Sequence, residues 1–170
     1  IYDKIAIIGV GLIGASIALA SRRAGLAASV TGCEIDSAKA GEIEKLGLVD
    51  HVTTDAVAAV QNADLVVMAV PVGALGPLAA QIVPAMKPGA VLTDTGSTKR
   101  SVLRDVDPHI SGDIHWIPSH PLAGTEHSGP AAGFAELFDG RYWLVLPREV
   151  PEDEVVRFES FLTGMGSVSE

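Results

Sequence analysis

The residue types able to do chemistry fall in four short stretches. In "IPSHPLAGTEHSG" (117–129), His120 follows an apolar approach and precedes a loop of small and polar residues. An imidazole can take a proton near neutral pH, and a hydroxyl that loses hydride from its own carbon must also give up its proton. The residues alone equally allow a histidine that merely sits in a turn. His115 and His127 flank it at five and seven residues, spacings that match neither a helical nor a hairpin metal site, so no metal is expected. In "GVGLIG" (9–14), Gly9 suits a tight turn, Gly11 lets a pyrophosphate approach the backbone, and Gly14 lets helix and strand pack. Leu12 and Ile13 open the helix whose first amides favour phosphate.

Glu34 lies twenty residues after Gly14, at the end of the next strand-like run. A carboxylate there accepts hydrogen bonds from a ribose 2′-hydroxyl and repels a 2′-phosphate, so NAD is expected over NADP. A surface carboxylate ending a strand is the plainer alternative. "AVPVGAL" (69–75) and "TDTGSTK" (93–99) each follow a predicted strand, and Val70, Pro71, Thr95 and Gly96 are expected to wall the nicotinamide side. Ser97 or Thr98 can cap the helix that follows, and Ser97 can do so while facing a ligand.

The elements that must position these side chains alternate along the chain. A continuous apolar run predicts a strand at 4–10, and further strands are read at 29–34, 64–70, 90–96 and 113–119, with helices after the glycines and over 37–47. "RYWLVLP" (141–147) reads as a further strand and 152–166 as an amphipathic helix presenting Val155, Phe158, Phe161 and Leu162 on one face. This order predicts an α/β fold of Rossmann type: a doubly wound, mainly parallel sheet with helices on both faces and ligands beyond the carboxyl ends of its strands. The dinucleotide-binding domain is expected over 1–166, with 167–170 beginning a connection.

Composition narrows the partners. The 170 residues carry 12 basic and 21 acidic side chains, a net charge of −9, with no basic run longer than Arg22-Arg23, which argues against nucleic acid and anionic membrane. The apolar stretch 65–86 is long enough to span a bilayer, but Pro71, Pro77 and Pro84 with Gly73 and Gly76 divide it into strand, turn and helix. A single cysteine, Cys33, is consistent with a reducing, cytoplasmic setting.

Four segments in order, "GVGLIGASIA", "TDTGSTKRSV", "SHPLAGTEHSGP" and "LFDGRYWLVLP", resemble the prephenate and arogenate (cyclohexadienyl) dehydrogenases, over nearly the whole chain. The resemblance implies NAD-dependent oxidative decarboxylation of a cyclohexadienyl acid in tyrosine biosynthesis. His120 would take the proton of the ring hydroxyl, and Ser97 beside it would orient histidine, substrate and nicotinamide. Gly124, Thr125 and Glu126 would form the pocket rim. The resemblance also implies a helical domain, beyond this chain, through which a homodimer forms and which supplies an arginine for a substrate carboxylate. Lys99 and Arg100 are the nearby cations within the chain. Two other readings of the residues remain: a reductase of imines or β-hydroxy acids on a similar fold, and a module that senses NAD without chemistry.

Overall fold

The computed structural model describes residues 1–146 and 148–170. Pro147, the last residue of the strand expected over 141–147, lies outside the described residues. Six strands, β1 (Tyr2–Ile8), β2 (Ala27–Cys33), β3 (His51–Thr53), β4 (Leu65–Met68), β5 (Val91–Asp94) and β6 (His115–Ile117), form one parallel sheet in the order β3-β2-β1-β4-β5-β6. Five helices accompany it: α1 (Leu12–Arg23), α2 (Ser37–Leu46), α3 (Ala56–Val60), α4 (Val72–Ile82) and α5 (Lys99–Val106). Successive residues of a strand face opposite sides. In β1, Ile5 and Ile7 therefore join a core with Ile17, Phe158 and Phe161, while Ala6 and Ile8 join a second core with Val60, Leu75 and Val102. Burial on both faces explains why β4 and the end of β1 read as unbroken apolar runs rather than alternating ones.

The chain reverses its winding between β1 and β4, the sheet's two central strands. That reversal opens a crevice at their carboxyl ends. β3 and α3 had no counterpart in the sequence reading, because three and five residues are too few to show a period. The 65–86 run resolves into β4, α4 and a short turn of tighter helix, and among the described residues no helix is long and apolar enough to cross a membrane.

One expectation needs correction. The run 113–119 is not a single strand leading to His120. It contains β6, then breaks at Pro118, and restarts as β7 (Ser119–Pro121) in a second sheet. Proline offers no amide to a neighbouring strand, so the ladder of the main sheet ends there, and the Pro118 carbonyl instead accepts from the Leu146 amide at 2.9 Å. β7 pairs antiparallel with β8 (Tyr142–Val145), which pairs parallel with β9 (Val168–Ser169). Residues 167–170, expected to lead away from the unit, thus complete its second sheet. α6 (Glu152–Gly164) buries Phe158, Phe161 and Leu162 beneath these strands, as its periodicity predicts, with Val155 half-buried.

Candidate active site

The glycine loop forms because three positions tolerate no side chain or need none. Gly9 has φ +91°, and a Cβ there would lie 2.5 Å from the Ala69 carbonyl oxygen at the exit of β4. A Cβ on Gly14 would run into the carbonyl of Gly9. Around Gly11, by contrast, a Cβ would meet nothing within 4 Å: this glycine faces open space. Gly11 is also the N-cap of α1, contributes no side-chain cap, and is followed by a first turn without acidic residues. Helix amides at such an end carry partial positive charge, and here no side-chain cap of α1 meets them.

From this loop a cavity of about 740 Å3 extends along the carboxyl ends of β1, β2 and β4. Gly9, Gly11, Glu34, Val70 and Pro71 line it, with Cys33, Lys39 and Asp55 also on its wall. Glu34 turns toward the loop, its Oε2 3.5 Å from the Val10 amide. Asp55 spends its carboxylate on the amides of Val57 and Ala58 at the start of α3. Burial pushes the Cys33 thiol up to about 11, with the charges of Glu34 and Asp55 adding to the effect, so it stays protonated and inert.

Next along the same edge is the turn after β5. The Thr95 amide donates to the Met68 carbonyl at 3.2 Å, which places this turn against the exit of β4. The Thr95 carbonyl lies 3.0 Å from Nδ1 of His120. A carbonyl can only accept, so Nδ1 carries the hydrogen in this bond, and Nε2 of the neutral ring is left with a free lone pair. His120 is half-buried, between its neighbours Ser119 and Pro121, which are both buried.

Behind the histidine lies a polar network that motif reasoning missed. Asp94 is fully buried. Its carboxylate accepts from the Gly96 amide at 2.9 Å and the Ser119 amide at 3.1 Å, and it pairs with the Lys99 ammonium. Burial raises the Asp94 carboxyl above its ordinary range against the pull of Lys99, and burial likewise lowers Lys99 against the pull of Asp94. Ser119 Oγ donates to the Asp94 carbonyl at 2.9 Å and accepts from the Trp143 indole at 3.0 Å, and Thr93 Oγ1 lies 2.8 Å away. The only hint in the sequence was the presence of Asp94 and Ser119 inside the two stretches already chosen for their neighbours.

The remaining candidates sit further out. Ser97 is exposed on the turn beyond Gly96, and Thr98, at the N-cap of α5, makes no side-chain capping bond. Lys99 is committed to Asp94, which removes it as a free cation for a substrate; Arg100 is exposed. Gly124, Thr125 and Glu126 lie on the exposed loop leaving β7, where Thr125 Oγ1 accepts from the His127 amide at 3.1 Å and Glu126 stands 3.4 Å from the His127 ring. Among the described residues no three histidine, cysteine or acidic side chains are grouped to hold a metal.

Strand order, glycine loop and crevice together define a Rossmann-type nucleotide-binding domain. The chain belongs to the prephenate dehydrogenase family: the model of that family's nucleotide-binding domain matches residues 17–170. The match begins beyond the glycine loop, which makes the loop an independent observation. A cyclohexadienyl dehydrogenase of Zymomonas mobilis is 42% identical over 147 residues, covering 86% of this chain and 50% of that protein. Among solved structures, the prephenate dehydrogenase from A. aeolicus in complex with hydroxyphenyl propionate and NAD+ has a TM-score of 0.88 at 25% identity, over 99% of this chain and 59% of that one. Synechocystis arogenate dehydrogenase has a TM-score of 0.89 at 27% identity, over 98% and 58%. The chain spans about half the length of the curated relatives it matches.

Proposed function

We propose that this chain is the nucleotide-binding half of an NAD-dependent dehydrogenase that oxidatively decarboxylates prephenate, arogenate or both, in tyrosine biosynthesis in the cytoplasm. The observation that carries the reading is His120. Its Nδ1 is held by the Thr95 carbonyl, its Nε2 is free to accept, and although it lies in the second sheet this bond sets it beside the turn that leaves β5 of the sheet carrying the glycine loop. Names and bound ligands of the relatives support the substrate class and the cofactor.

The residues fit NAD on three grounds: the open face of Gly11, the uncapped N-terminus of α1, and the Glu34 carboxylate on the cavity wall. Gly9, Gly11 and Gly14 with the amides of Leu12 and Ile13 would hold the pyrophosphate, Glu34 the adenosine ribose, and Val70, Pro71, Thr95 and Gly96 the nicotinamide side. When bound, the nicotinamide supplies the hydride acceptor. The protein's part is to take the proton and to hold the reactants in line. His120 Nε2 accepts the proton of the ring hydroxyl as its carbon is oxidised, and the Thr95 carbonyl stabilises the imidazolium so formed. Ser97 would orient substrate and ring, and Gly124, Thr125 and Glu126 would form the rim that meets the substrate side chain. Loss of carbon dioxide then makes the ring aromatic, which needs no metal and makes the step effectively irreversible. The curated relatives are about twice as long as this chain, and on this reading, as the family resemblance implies, a helical domain of the full-length protein would form a homodimer and contribute a cation for the substrate carboxylate.

The test is nicotinamide absorbance of the full-length protein with NAD and prephenate, arogenate or unrelated hydroxy acids. Reduction with one or both cyclohexadienyl acids alone is expected. His120→Asn should keep NAD affinity within a few-fold while lowering turnover by about 100-fold or more. Near-normal turnover of that variant would remove His120 from the chemistry.

A further inference from the structure

Two short pieces of chain must be held together for His120 to keep its hydrogen bond, and they belong to different sheets. Thr95 follows β5 of the main sheet, whereas His120 lies in β7 of the second. Pro118 ends the ladder between them, and β7 has only three residues, so strand pairing by itself leaves the position of His120 relative to Thr95 weakly determined.

Asp94 sits where that relation can be fixed. Its Oδ2 accepts from the amide of Gly96, the residue after Thr95, and its Oδ1 accepts from the amide of Ser119, the residue before His120. Its own carbonyl takes the hydroxyl of Ser119. One buried side chain thus grips the backbone on both sides of the Thr95–His120 bond. A carboxylate is required, because three N–H donors converge on its two oxygens: the two amides and the ammonium of Lys99. Lys99, at the first position of α5, keeps the buried charge compensated.

We infer that Asp94, with Lys99 as its charge partner, is a positioning residue that holds the β5 turn against β7 and so fixes His120 with hydrogen on Nδ1 and a bare Nε2. The inference takes His120 to be the base, as proposed above. Asp94 itself touches neither substrate nor cofactor on this reading.

The test reads the histidine directly, without substrate. In full-length protein labelled with nitrogen-15, the two ring nitrogens of His120, assigned by their loss in His120→Asn, should give well separated shifts at mildly alkaline pH, Nδ1 protonated and Nε2 bare. In Asp94→Asn an amide offers one acceptor oxygen to the same three donors, and the two shifts should move toward each other as the ring samples both tautomers. Turnover should fall about 10- to 100-fold, the scale of a slightly misplaced catalytic group, with NAD affinity within a few-fold. Lys99→Met is expected to mix the tautomers too, and Lys99→Arg to restore most of the separation. Should Asp94→Asn fail to fold, the two Lys99 variants decide the matter. Unchanged ring shifts and turnover in Asp94→Asn, or in Lys99→Met where that is the variant available, overturn the inference while leaving the dehydrogenase reading intact. Mixed tautomers in a protein whose wild type turns over neither cyclohexadienyl acid uphold the clamp and sink the dehydrogenase reading instead.

Discussion

At the scale of single residues, charge placement separates the two nicotinamide cofactors. Glu34 lines the cavity at the exit of β2, and its carboxylate leans toward the glycine loop. Lys39 is the one basic side chain on that wall among the described residues, so a 2′-phosphate would meet a carboxylate with little compensation. Replacing Glu34 by Arg exchanges repulsion for attraction. Titrating both cofactors by calorimetry against both proteins should show weaker NAD and stronger NADP for the variant. An unchanged preference would mean that Glu34 does not face the adenosine ribose. Asp55 will not blunt the exchange much, since its charge is already spent on the amides that open α3.

At the scale of elements, the end of the sheet opposite the crevice is tied by Asp64, just before β4. Its carboxylate accepts from the amides of Asp3 at 3.1 Å and Lys4 at 2.9 Å and pairs with Lys87, while its carbonyl accepts from Val91. One residue thereby joins the beginnings of β1, β4 and β5. Partial burial alone would raise this carboxyl, but Lys87 and the two amides outweigh it and hold the group below the ordinary carboxylate range. A folded value below the unfolded one means stabilisation that is complete above the unfolded pKa and is lost as pH falls through the folded one. Asp64→Asn should therefore cost about 1–3 kcal/mol near neutral pH, toward the lower end because Lys87 is partly exposed and screened. Urea unfolding of both proteins should show the difference shrinking as the solution becomes strongly acidic. A gap that stayed constant down to the lowest pH would show that the charge on Asp64 contributes nothing.

At the scale of the whole molecule, the nucleotide-binding fold and the base proposed for it lie within this chain, whereas few cations stand near His120 among the described residues. Lys99 is committed to Asp94, and the relatives are about twice as long. The 170-residue chain alone is expected to fold and bind NAD, because sheet, glycine loop and Glu34 are all contained in it. Its turnover of prephenate or arogenate should be negligible beside that of a full-length protein, since a dicarboxylate held loosely is rarely aligned for hydride transfer. Calorimetry with NAD and a turnover assay on both lengths test this together. Comparable rates would refute the view that the active site needs a second domain.

Much of the fold follows from the sequence because its signals are local. Apolar runs mark strands buried on both faces, a period near 3.6 marks α6, and the spacing Gly9, Gly11, Gly14, Glu34 marks a loop, a helix start and a strand end that succeed one another along the chain. The carboxyl-end location of the crevice is implied by that order, and so is the presence of a histidine near it. The break at Pro118, the second sheet and the tautomer of His120 were settled only when distant segments met. Asp94 and Ser119 are 25 residues apart, as are Thr95 and His120, and Trp143 reaches Ser119 from a strand 24 residues further on. Such pairings leave no period or spacing to read. A buried carboxylate also looks identical in sequence to an exposed one, so only the packing of β5, α5 and β7 around Asp94 showed that its donors are the two amides flanking the site and Lys99, one of the two cations noted near His120 in the sequence.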